Sequence, residues 1–329
     1  MNDFDAGPVK ELDGNYYNWK LKDKSDKRVF IVFSSRGAEP GDFSFYKTFD
    51  KLDVNVLHIT PPDFTWYQSG LVGLGDSLEI SFDKLANKVV SFCEDFEAVK
   101  IFIVGASMGG YAAVLFSSML SMAARVSYSP EVICFGTEMI LKLPNSKSSE
   151  LDFFVADRLK DIRHFDFVNV KINMIFGEFD LVDTYCALIM KEHPSFFLYS
   201  CSSSGHLVPE FLNKTVTIVE FFRSFISGGK SFIGRGHIDS EVNADDIYPL
   251  VFSKPFSEEY LSALNLCLKK YPAFGYGWNR LGVYHHNNSN LADASNCLKK
   301  SQLINSDFSN TTQHIASVRK KIEDSPSPK

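Results

Sequence analysis

Between Arg28 and Ile226 short apolar runs alternate with longer segments of helical periodicity, and this alternation limits what the chain can fold into more than any other feature. The strand candidates are RVFIVFSS (28–35), VNVLHIT (54–60), KIFIVGAS (100–107), EVICFG (131–136), KINMIFG (171–177) and SFFLYSC (195–201). Between them LEISFDKLANKVVSFCEDF (78–96), GYAAVLFSSMLSMAA (110–124) and ELDFFVADRLKDIRHF (150–165) are each long enough for a crossover helix. Strands that are apolar throughout and separated by helices predict an α/β domain, a mostly parallel sheet covered on both faces. With 329 residues, 45% of them hydrophobic, the chain has enough apolar material for a full core, and its thirty Phe and thirteen Tyr are expected mainly to fill it.

One strand candidate ends in a knot of glycines around a serine. Gly105-Ala106-Ser107-Met108-Gly109 matches G-x-S-x-G, with a strand before it and a helix after it. A serine at a sharp strand-to-helix turn projects its hydroxyl clear of the sheet, provided that its neighbours lack bulk. The alternative, a nucleotide-binding glycine turn, has against it the absence of G-x-G-x-x-G and of a following GK[ST]. The N-terminus of the following helix would face Ser107, and the Met108 N–H would donate to an oxyanion formed there.

A serine hydroxyl needs a base, and the base needs a carboxylate to orient it. KINMIFGEFDLVD supplies Glu178, Asp180 and Asp183 just past a strand, and SFFLYSCSSSGHLVPEFL places His206 in a serine- and glycine-rich loop past the next. Asp180 is preferred as the acid because it lies three residues beyond Gly177, with Leu181-Val182 turning back to the core; Asp183 and Glu178 are the alternatives. His58, His164 and His193 sit in a strand, at a helix end and before Pro194, so His206 is the expected base. The loop FSSRGAEPGDFSF should supply the second oxyanion donor, from Ser35 or Arg36. Arg36 would also suit an anionic substrate, unless it is paired with Glu39. Trp66 and Tyr67, in PPDFTWYQSGLVGLGDS (61–77), read equally as a stacking surface for a sugar or as core.

Elbow, acid and histidine in this order resemble the α/β-hydrolase family of serine enzymes over roughly residues 20 to 226. The resemblance implies acyl transfer through an acyl-enzyme, as an esterase acting on short acyl esters or glycans, or as an O-acetyltransferase carrying acetyl from acetyl-CoA to a surface polysaccharide. It implies no metal and no bound cofactor. A binding or scaffold protein that has kept the fold is the competing class. Only about forty residues separate Pro130 from Lys171, too few for a large lid, so an open site is expected.

The organisation expected is a catalytic domain over 1–226, a glycine-rich then acidic linker over 227–251, a helical region over 252–322 and a disordered tail over 323–329. In the helical region Trp278, Leu281, Gly282, Tyr284 and Ala294 resemble the tetratricopeptide pattern, and a repeat unit this short exposes apolar faces that need the hydrolase-like domain, a second copy of the chain or a partner protein to cover them. Such a region would be dispensable for turnover of a small ester. The net charge of -6 gives nucleic acid nothing to bind, six scattered cysteines suggest free thiols of a reducing compartment, and neither a signal peptide nor a membrane span is legible, so a cytoplasmic location is expected.

Overall fold

The computed structural model describes residues 12, 14–22, 25–98, 100–123, 128–150, 155–229, 242–306 and 308–324. Seven strands, β1 (Tyr17–Lys20), β2 (Arg28–Phe33), β3 (Asn55–Ile59), β4 (Lys100–Ala106), β5 (Glu131–Phe135), β6 (Lys171–Gly177) and β7 (Phe196–Cys201), form one sheet in the order β1-β3-β2-β4-β5-β6-β7. β2 pairs in parallel with β3 and β4, β5 pairs in parallel with β4 and β6, and β1 runs antiparallel to β3. The helices are α1 (Tyr46–Phe49), α2 (Leu78–Phe96), α3 (Met108–Ala123), α4 (Leu181–Leu188), α5 (Val208–Thr215), α6 (Ile218–Ile226), α7 (Ala244–Phe252), α8 (Glu258–Lys270), α9 (Gly275–Asn287), α10 (Leu291–Ile304) and α11 (Ser309–Glu323). Strand order, the antiparallel edge strand β1 and the flanking helices make this the α/β-hydrolase fold, with additional C-terminal helices.

All six expected strands are present, and α2 and α3 fall where periodicity placed them. Two expectations do not hold. Residues 150–165 carry no long helix among those described; Asp157–Leu159 and Ile162–His164 are single 3₁₀ turns, the second capped by Asp161. The expected linker reaches to 251, but α7 already starts at Ala244, while 230–241 lie outside the described residues.

The described chain divides into two compact units, one of 1–175, 190–198 and 207–232, the other of 176–189, 199–206 and 233–329. This division does not follow the expected boundary at Ile226. It puts the segments that follow β6 and β7 into one unit with the C-terminal helices.

In the first unit aromatic side chains fill the core as expected. Phe33 packs on both Phe82 of α2 and Phe116 of α3, which contact each other edge-on with centroids 5.6 Å apart. On β5, Phe135 meets Phe221 and Phe222 of α6. His58 of β3 is 1% exposed and ringed by Phe43, Tyr46 and Phe49. Burial, with the Lys20 ammonium nearby, pushes its imidazole down to about 4, although a backbone hydrogen bond at Ser44 opposes the shift. In the unfolded chain the same group titrates near 6.5. Folding therefore excludes a proton, so this contribution is complete above pH 6.5 and is lost as the pH falls from there to about 4, by up to about 3 kcal/mol. Guanidinium unfolding at neutral pH and near pH 4.5 should show a stability difference that shrinks in His58→Leu; an equal difference in both proteins would contradict the assignment.

In the second unit α7 to α11 pack in sequence, and α7 also packs on α4. Ala294, Leu298, Ile315 and Val318 form a small core between α10 and α11, and the Asn279 side-chain amide donates to Thr311 Oγ1 at 2.8 Å. A Cβ at Gly282 would meet Leu298 Cγ at 2.7 Å, so α9 and α10 cross where no side chain fits. Trp278 is half-buried, donating to the Pro272 carbonyl under the Lys300 ammonium. All six cysteines are buried as thiols, none of them in a disulfide. No helix among the described residues is long and apolar enough to cross a membrane.

Candidate active site

The sharp turn between β4 and α3 holds Ser107 at φ 52°, in the left-handed region that a serine rarely occupies. Two hydrogen bonds fix it there: its N–H donates to the Phe135 carbonyl at 2.9 Å, and its own carbonyl accepts from Tyr111 N–H at 3.1 Å. The glycines around it are required by close approach. A Cβ on Gly105 would fall on the Gly109 carbonyl, one on Gly109 on the Phe33 carbonyl, and one on Gly110 on the Thr137 side chain. Met108 is buried as the first residue of α3, where backbone N–H groups are left without partners in the helix and the helix dipole is positive.

Ser35, the expected oxyanion donor, is placed differently. Its N–H donates to Ser44 Oγ at 2.9 Å and its hydroxyl donates to the Ala106 carbonyl at 3.0 Å. Ser35 therefore ties the loop after β2 to the residue before Ser107, with its amide already engaged. Beside it opens a cleft of about 890 Å³, whose lining includes Ser35, Arg36, Asp42, Phe45, Lys47 and Asn213. Arg36 is exposed there, and no ion pair with Glu39 is found among the described residues. Trp66 and Tyr67 are fully buried, contrary to a place at the mouth. The Trp66 ring packs edge-on against Tyr111, and the Tyr67 hydroxyl donates to the Ser34 carbonyl at 2.9 Å; their tight, left-handed backbone folds them inward.

In the other unit the segments after β6 and β7 are joined to each other. Glu178 N–H donates to the Cys201 carbonyl at 3.1 Å and Phe179 N–H to the Ser204 carbonyl at 2.9 Å. A Cβ on Gly177 would fall on the carbonyls of Ser204 and Gly205, so only glycine lets the two segments close. On this frame His206 Nδ1 lies 2.8 Å from Asp183 Oδ2, and the Asp183 side chain is 1% exposed.

Asp180 does not make the expected contact. It is the N-cap of α4, its Oδ1 accepting from Val182 N–H at 3.1 Å and Asp183 N–H at 3.0 Å, while its Oδ2 is 4.0 Å from His206 Nδ1. A carboxylate held by helix amides is not free to swing to the histidine. The sequence Asp180-Leu181-Val182-Asp183 carries the signal for this: an aspartate just before an apolar helical run is a cap, and the residue three further on stands in the first turn. Glu178 is buried and accepts from Ser200 Oγ at 2.9 Å.

One donor atom each from Asp180, Asp183 and His206 lies within 4.8 Å of the others, so these three could together reach a metal ion. As found, the 2.8 Å nitrogen-to-oxygen separation is that of a shared proton, which a cation would have to replace.

No family model matches the chain, and no curated protein matches it in sequence. Solved structures do resemble it. A lipase-esterase related protein from Clostridium acetobutylicum is 12% identical with a TM-score of 0.43 over 64% of this chain and 98% of its own. MenH from S. aureus is 16% identical with a TM-score of 0.39, over 65% and 97%. The mouse alpha/beta hydrolase domain-containing protein 10 is 12% identical with a TM-score of 0.40, over 64% and 93%.

Proposed function

We propose that the protein is a serine enzyme of acyl transfer in which Ser107, His206 and Asp183 form the triad. Ser107 Oγ attacks an ester or thioester carbonyl, and His206 Nε2 takes the hydroxyl proton as the new C–O bond forms. Asp183 fixes the Nδ1–H tautomer and stabilises the imidazolium. The oxyanion is held by Met108 N–H and, since the Ser35 amide is engaged, by the next amide of that loop, Arg36. Collapse breaks the bond to the leaving group, which receives the proton from His206. Water or a sugar hydroxyl then resolves the acyl-enzyme by the same route in reverse. The observation that carries this reading is the left-handed backbone of Ser107 at the strand-to-helix turn, a strain that persists where function requires it. The Asp183–His206 hydrogen bond supports it independently.

A carboxylic ester hydrolase acting on short acyl groups is the reading favoured here, because the cleft beside Ser35 mixes Arg36, Asp42, Lys47 and Asn213 with its apolar residues and offers a long acyl chain no continuous apolar surface. The same two cations support a second reading, acetyl transfer from acetyl-CoA, whose phosphates they would neutralise, to a glycan hydroxyl. p-Nitrophenyl acetate should be turned over faster than esters of about eight carbons or more, before and after dialysis against a chelator; preference for the long chains would contradict the polar cleft as the acyl site. CoA released from acetyl-CoA at a rate that rises with added glycan, with a product heavier by one acetyl, would establish transfer, whereas an unchanged rate in water alone would leave hydrolysis.

A further inference from the structure

Asn305 stands at the C-terminal end of α10, about a hundred residues or more from the segments that bear Asp183 and His206, yet its side chain reaches both. Its amide nitrogen donates to the Ser202 carbonyl, four residues before His206, and lies 3.4 Å from Glu178 Oε2, five residues before Asp183. Asn305 is 1% exposed, and Glu178, whose other oxygen accepts from Ser200, is 2% exposed. A buried carboxylate and a half-buried carbonyl therefore share one side-chain donor. The C-terminal helices make a place for that donor. A Cβ on Gly275, the first residue of α9, would fall on Asn305 Oδ1, and Ser301 Oγ donates to the Gly275 carbonyl at 2.9 Å. Next to it Phe308 stacks on Phe179 with centroids 3.7 Å apart, while Tyr248 and Phe252 of α7 press on Tyr185 of α4.

We infer that Asn305 is a positioning residue that sets the distance between the acid and the base by bonding both of their segments, so that the C-terminal helices are part of the catalytic apparatus. The inference rests on the triad proposed above. Asn305 touches neither substrate nor the reacting atoms. It acts through Glu178 and Ser202 on the Asp183–His206 hydrogen bond, and a shift of about 1 Å in such a group can cost about 100-fold in rate.

The test uses the full-length chain carrying Asn305→Ala, Asn305→Asp or Phe308→Leu, each checked for native circular dichroism and a cooperative melt. Asn305→Asp keeps the shape and packing of the side chain but puts an acceptor where the donor was. Turnover of p-nitrophenyl acetate should fall about 10- to 100-fold in kcat with KM within about twofold for both Asn305 variants. The low-field proton resonance of His206 Nδ1–H should shift or vanish in the same variants. Phe308→Leu, which loosens packing but leaves the donor, should cost less than either. If Asn305→Asp folds and keeps both kcat and the resonance, the positioning role is overturned and the contact is structural only. The resonance is read without turnover, so an inactive wild-type protein would count against the triad while this arm still decides the role of Asn305.

Discussion

Ser107→Ala should abolish turnover and leave the fold intact. The left-handed backbone at this position disfavours any residue with a Cβ, so alanine is no worse than serine there, and both backbone hydrogen bonds of Ser107 survive the change. Without its nucleophile the enzyme should lose on the order of 10⁴-fold or more in kcat, keeping only what binding and the oxyanion donors supply. A melting temperature close to that of the unmodified protein would show that the loss is chemical. Activity near that of the wild type would remove Ser107 from the mechanism.

The second large effect separates two aspartates three residues apart. Asp183→Asn keeps the side-chain shape but presents an amide to His206 Nδ1, which favours the wrong tautomer, and the expected loss in kcat is about 10⁴-fold. Asp180→Asn should change little, because asparagine caps a helix about as well as aspartate does. With Asp180→Ala the lost cap should cost about 1 kcal/mol of stability and only a modest part of the activity. If Asp180→Asn proves the silent enzyme and Asp183→Asn the active one, the 2.8 Å contact of Asp183 with His206 does not report the working state.

That distinction marks how far the sequence could be read. The continuous apolar strands and the glycine-serine turn were legible because burial on both faces and backbone crowding each demand particular residue types. β1 was not, since Tyr17-Asn18-Trp19-Lys20 is short and polar on one side and is recognisable only through its antiparallel register with β3. The choice between the two aspartates turns on where a helix begins, and a boundary error of a few residues exchanges the cap for the carboxylate that meets His206. Trp66 and Tyr67 read equally as a stacking surface or as core, and the turn they occupy decides it by directing both rings into the core.

The role of the C-terminal helices was the least legible feature. A repeat-like pattern after a glycine-rich segment suggests a separable module, but Asn305 and Phe308 bond and stack directly on residues 178, 179 and 202. The expectation that small-ester turnover survives truncation after Ile226 therefore gives way to the opposite one. Contacts made between residues so far apart in the chain leave no periodic trace, and a buried asparagine is indistinguishable in sequence from an exposed one.

The central claim is that Ser107 is a nucleophile activated by His206, and the most direct measurement is covalent labelling of the folded full-length protein with a fluorophosphonate, followed by peptide mapping. The account predicts a single adduct on Ser107, formed rapidly, absent from Ser107→Ala and strongly slowed in His206→Ala. Failure of the wild-type protein to react beside a competent serine hydrolase, or an adduct on another residue, would contradict it.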